Sequence, residues 1–176
     1  MRTFALLPLA LTVACSGCIA FSARAHVDAV SDIEHHGVQV GINVGFGYAG
    51  EKNAIIASVG ADTGTAPKFG VHDTIDYVRL PEKRIGWRAG FGGTVGIVGD
   101  PSIVGVRFAT LYSLREKTSY TDNEKMGGES SASLLALSFE TTIGAVTRSH
   151  EMNAPTRLGG SAGIGLELYS LSRLWF

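Results

Sequence analysis

Cysteine is scarce in this chain. Cys15 and Cys18 stand close together near its start, and none follows. Two cysteines so near a cleavage region could hardly staple a fold, so the rest of the chain is read without disulfides or a thiolate metal centre. Charge is also scarce. Lys and Arg number 15 and Asp and Glu 16, for a formal net charge of −1. No global field points to nucleic acid as a partner. Charged residues make up 18%, against about 25% in an average soluble domain. Beyond the first residues no stretch is apolar and uncharged over the roughly 20 positions that a spanning helix needs. Nucleophile-elbow, HExxH and Walker sequences are missing as well. No catalytic or cofactor-binding residue is expected, and no enzymatic activity. Glycine is the one excess, with 23 residues, roughly twice its usual share. High glycine with low charge suits a β-rich chain partly out of water.

The start of the chain has the form of a targeting segment. Met1-Arg2 supplies one positive charge, and Phe4 to Ala14 is an apolar run of signal-peptide length. Two endings are compatible with it. Ala23-Arg24-Ala25 is a small-x-small cleavage site, which gives a signal segment over residues 1–25. Thr12-Val13-Ala14-Cys15 and Cys15-Ser16-Gly17-Cys18 instead resemble a bacterial lipobox, with Thr12 or Cys15 where Leu is usual. Cys18 leaves the more usual signal length and is the lipidation candidate, with the signal then ending at 17. Residues up to 37 read as a short polar tether, and 38–176 as the folded domain.

From Val38 onward hydropathy alternates. Val38, Val40, Ile42, Val44, Phe46 and Tyr48 interleave with Gln39, Gly41, Asn43, Gly45, Gly47 and Ala49. Strand side chains point to opposite faces in turn, so one face is apolar and the other is glycine and amide. The pattern recurs over Asn53–Ala61, Arg84–Val98, Ile103–Arg115, Ser133–Arg148 and Gly160–Phe176, and more weakly over Thr74–Leu80. Leu111 breaks parity in its strand. That makes seven strands, with an eighth expected in the lead-in or within 62–80. Asp62–Asp73 and Glu116–Ser130 read as the longest loops and the expected partner contacts.

A soluble sandwich or lipocalin-like barrel also alternates, with its apolar face inward. Its water-facing side normally carries Lys, Glu, Thr and Gln. Here that second face is mostly glycine, which suits a narrow lumen. Several strands exceed ten residues, the length that crosses a bilayer. Strands can cross lipid only as a closed barrel. The fold class expected is all-β, a single closed antiparallel up-and-down barrel of about eight strands.

In signal, alternation and terminus the chain resembles the small outer-membrane β-barrel proteins of Gram-negative bacteria, over about Gly37 to Phe176. The resemblance implies insertion in outer-membrane lipid, and recognition of the last strand, ending at Phe176, by the barrel assembly machinery. Leu174, Leu168, Leu166 and Ile164 share the parity of Phe176, while Ser170 and Ser172 interrupt it. Trp175, Tyr48, Tyr112 and Trp87 are candidates for interfacial girdles.

Four charges stand on the small, polar parity of four strands: Arg88, Arg107, Glu140 and Glu167. In a membrane barrel they would meet in the lumen and neutralise one another. His35-His36, beside Asp32 and Glu34, is the one histidine group with metal-ligand character. Adjacent residues on an extended chain point apart, so no metal site is expected. Three functional readings result. The first is a structural or interaction barrel of the outer membrane with an unknown loop partner. The second is a soluble periplasmic or surface lipoprotein holding a small apolar ligand. The third is a barrel enzyme acting on lipid, for which a His-x-Ser arrangement on a clear strand is lacking.

Overall fold

A strand that alternates in hydropathy can satisfy two environments only if its register holds, because a one-residue slip exchanges its faces. The computed structural model of the chain describes residues 18–31, 36–50, 52–65, 68–81, 83–97, 101–123, 127–148 and 156–175. Among them are eight strands and no helix: β1 (Cys18–Ser31), β2 (His36–Ala49), β3 (Asn53–Gly64), β4 (Phe69–Arg79), β5 (Ile85–Gly96), β6 (Pro101–Asn123), β7 (Gly127–Arg148) and β8 (Arg157–Trp175). Each pairs antiparallel with its neighbour in sequence, and β1 pairs with β8 to close an up-and-down barrel. The β1 start and the β8 end share one rim, called the near rim; the Ser31–His36 connection lies at the far rim.

Register also sets the tilt. Followed from strand to strand, Arg24 leads to Asn43, Gly60, His72, Thr94, Ile103, Val146 and Arg157. Across the closing seam Arg24 pairs with Glu167 instead, and 167 − 157 = 10 positions separate the two β8 residues. Such a stagger requires strands tilted by about 35–45° to the axis. It also brings side chains of unrelated register to one height inside.

The eighth strand lies in the lead-in. The barrel begins at Cys18 and not at 38, which replaces the expected tether with β1. Arg24, His26, Asp28 and Val30 point inward and are buried, whereas Ile19, Ala25, Val27 and Ala29 are exposed. Alanines mute the outward series, so the strand reads from sequence as a processing site followed by polar residues. Both expected loops are also largely strand. Asp62 ends in β3 and Asp73 falls in β4; Glu116–Asn123 and Gly127–Ser130 continue β6 and β7. β5 pairs with β6 only as far as Tyr112, while β6 and β7 stay paired to Asn123 and Gly127. A register shift between Ser113 and Arg115 marks where β6 parts from β5, while β7 stays paired with β8 as far as Gly128; such a place favours a bulge.

The interior is layered. Toward the near rim an apolar cluster includes Ala49, Ile56, Val78, Leu111, Tyr169 and Leu171. Leu111, the parity exception, is fully buried in it. Buried charge follows, and Val30, Ile103 and Val146 pack together toward the far rim. Outward stand Ile42 at 67% exposure, Val106 at 66% and Phe91 at 61%.

Candidate functional site

Tilt and parity bring the four expected charges together. Arg88 bonds Glu140, and its Nη2 reaches Glu167 Oε1 at 2.8 Å. Arg107 Nη2 donates to Glu140 Oε1 at 2.7 Å. All four are buried. Two further charges belong to the cluster. Arg24 Nη1 lies 3.1 Å from Glu140, and Arg88 Nη1 donates to Asp76 Oδ2 at 3.1 Å. Tyr169 donates its hydroxyl to Glu167. The result is a network of Arg24, Arg88 and Arg107 with Asp76, Glu140 and Glu167 across strands β1, β4, β5, β6, β7 and β8. Buried charge is tolerable only when it is paired and hydrogen-bonded. A cavity of about 10 Å³ beside Arg24, Asn43, Ser58 and Asp76 has room for about one water molecule.

Sequence reasoning missed Arg24 because β1 was assigned to the leader, and Asp76 because β4 alternates weakly. The available signal was the period-two polar series Arg24-His26-Asp28, set between Ala25 and Val27, and His72-Thr74-Asp76, set between Asp73 and Ile75.

The same two series build a second cluster nearer the far rim. His26 Nδ1 lies 2.8 Å from Asp28 Oδ2, and His26 Nε2 lies 3.2 Å from Asp62 Oδ1. His72 Nδ1 is 3.0 Å from Asp62 Oδ2 and 3.2 Å from Thr94 Oγ1. Thr94 also donates to Asp62. The two imidazole rings stand 5.4 Å apart, centre to centre. From sequence these histidines had no partners, and the one group with metal-ligand character was His35-His36. His35 lies outside the described residues, and exposed His36 Nδ1 is 2.8 Å from Ser31 Oγ.

Cys18, the lipidation candidate, is the first residue of β1 and stands opposite Arg173 in register. Phe176 lies outside the described residues. Tyr48, Tyr77, Trp87 and Tyr112 point outward toward the near rim, with Arg84 donating to the Tyr112 hydroxyl at 3.1 Å. Neither protein-family models nor curated proteins match the chain. What fold and site define is an eight-stranded closed barrel with a charged, hydrogen-bonded interior and an apolar exterior.

Proposed function

We propose that the chain is a membrane-inserted barrel of a Gram-negative outer membrane, closed across its lumen, with a structural or interaction role and no catalytic activity. The observation that carries this reading is the inversion of polarity. Arg107 is 1% exposed, whereas Phe91 is 61% exposed and Ile42 67%. Water would reward the opposite arrangement. Exposed Val38 to Tyr48 spans ten residue steps of β2, about 33 Å of strand. Tilted by about 40°, that gives a band about 25 Å tall, the apolar height of outer-membrane barrels. Tyr48, Tyr77, Trp87 and Tyr112 form an aromatic girdle along one edge of it. A soluble ligand-binding barrel needs an apolar internal cavity. Charged side chains occupy the middle of this one.

Lipidation at Cys18 leaves β1 whole. Cleavage after Ala25 would remove Cys18–Ala25, the half of β1 that pairs with Ile42–Tyr48 and Leu166–Arg173. The partner-facing element is the β6–β7 hairpin, whose β6 edge beyond Tyr112 β5 leaves unpaired. Assembly is read to start from the β8 end at Phe176.

Fractionation tests the reading. The protein should require detergent and run as a heat-modifiable band on a gel. A chain that is soluble and monomeric after removal of residues 1–18 would sink it.

A further inference from the structure

The second cluster has a chemistry that the membrane reading does not use. A carboxylate oxygen can only accept, so a histidine nitrogen facing it either carries a proton or shares a cation with it. His26 Nδ1 faces Asp28 at 2.8 Å and His72 Nδ1 faces Asp62 at 3.0 Å. His26 Nε2 and His72 Nδ1 thus both face Asp62, at 3.2 Å and 3.0 Å. His26 Nε2, His72 Nε2 and Asp62 Oδ1 are also buried atoms with no hydrogen-bond partner. Two of them, His26 Nε2 and Asp62 Oδ1, face each other at 3.2 Å. With His26 Nδ1 donating to Asp28, that contact takes either a second proton on the ring or a cation between the two atoms.

We propose that His26, Asp62 and His72 bind one divalent transition-metal cation of the zinc class inside the barrel. One donor atom from each residue lies within 4.8 Å of the other two. The 3.2 Å separation of His26 Nε2 from Asp62 Oδ1 matches the ligand-to-ligand edge of a tetrahedral zinc site, about 3.3 Å. Two imidazoles and one carboxylate form a borderline donor set that suits zinc and its neighbours better than calcium or magnesium. The fourth position is open to water. Asp28 behind His26 supplies the carboxylate–histidine support typical of metal ligands, and the Thr94 hydroxyl donates to Asp62.

Two more observations agree. Among the described residues the buried charges are Arg24, Arg88 and Arg107 against Asp28, Asp62, Asp76, Glu140 and Glu167. With neutral histidines that is 3 − 5 = −2, which one divalent cation balances. Gly41 faces the site: a Cβ there would stand 1.8 Å from Asp62 Oδ1 and 2.5 Å from His26 Nε2. Any side chain at 41 would fill the space between the ligands. The site lies a few residues below the far rim, next to the apolar cluster of Val30, Ile103 and Val146. None of this depends on whether lipid or water meets the outside of the barrel.

The test uses full-length protein without a histidine tag, folded in detergent and stripped with a chelator. Calorimetry with Zn²⁺ should give one site per chain. Co²⁺ should give the intense visible bands of a tetrahedral complex, and Zn²⁺ should raise the thermal midpoint. His72→Gln and Gly41→Ala should each weaken Zn²⁺ binding at least 100-fold, with folding checked by the heat-modifiable band; His36→Gln should leave it unchanged. The Co²⁺ spectrum of the unmodified chain serves if a variant fails to fold. Absence of stoichiometric binding, or unchanged binding in folded His72→Gln, overturns the proposal. So does imidazole NMR showing His26 and His72 both doubly protonated with no response to Zn²⁺, since two protons would then balance the interior.

Discussion

Arg107 and Glu140 show what a single buried side chain decides. Each is almost fully enclosed, and Arg107 reaches Glu140 through two nitrogens. Removing one leaves the other charged, buried and short of a partner. Arg107→Ala and Glu140→Ala should each destabilise the barrel by about 3–5 kcal/mol, read by denaturant unfolding in lipid vesicles. The double variant should cost clearly less than their sum, because neither charge is then stranded. Additive losses would show that the two residues do not share one network. On the outward face the sign reverses. Phe139 is 53% exposed, yet a charge there should be costly if lipid surrounds it. Phe139→Lys should cost roughly 2–4 kcal/mol near the bilayer midplane. In a soluble barrel the same change would be near neutral. Asp73 is the outward residue that fits this band least. It faces Val59 and Gly93 in register, beside a groove of about 420 Å³ that Phe91 and Val104 also line.

At the scale of elements, β1 and the β6–β7 hairpin matter for opposite reasons. β1 closes the barrel against β8 and carries Arg24, His26 and Asp28 inward. A chain lacking Cys18–Ala25 keeps a short remnant of β1, so it leaves β2 and β8 as open edges. It should fail to give the folded, heat-modifiable species. Mass spectrometry of the mature protein should correspondingly find a start at Cys18, with acyl groups that Cys18→Ser abolishes and Cys15→Ser keeps. An unacylated start at His26 would contradict this. Beyond the bulge β5 leaves the β6 arm of the hairpin unpaired, while the β7 arm keeps its pairing with β8 as far as Gly128. Replacing Thr118–Ser130 by a two-residue turn removes only the Gly128–Ser130 end of that pairing and should leave barrel stability within about 1 kcal/mol. A collapse of the fold on shortening would mean that the hairpin helps to close the near rim.

The whole molecule is an inverted protein: aliphatic and aromatic side chains outside, ion pairs within. Its interior has an apolar layer toward the near rim and a charged layer above it. An ion crossing the lumen would have to leave water, pass Leu111, Val78 and Ala49, and displace paired charges. The barrel should therefore show no steady single-channel conductance in planar bilayers. Arg107→Ala with Glu140→Ala should still not open it, because the apolar layer remains. Stable conductance in the unmodified protein would mean that the apolar layer does not close the lumen.

Sequence by itself determined the strands, their parity and the polarity of most of the barrel. A period of two is local and survives without knowing any neighbour, which is why Arg88, Arg107, Glu140 and Glu167 could be placed on one face from residues alone. Tertiary structure decided three other matters. The first is that β1 is a strand: Ala23, Ala25 and Ala29 weaken the apolar signal of its outward face, and pairing on both sides with β2 and β8 fixes it where local hydropathy does not. The second is that residues 62–64, 69–73, 116–123 and 127–130 are strand, since backbone pairing across a hairpin outweighs a polar composition. The third is the meeting of His26 on β1 with Asp62 and His72, which the neighbouring β3 and β4 carry. The ten-residue stagger and the strand tilt set which inward side chains share a height, and that quantity exists only once the sheet has closed on itself.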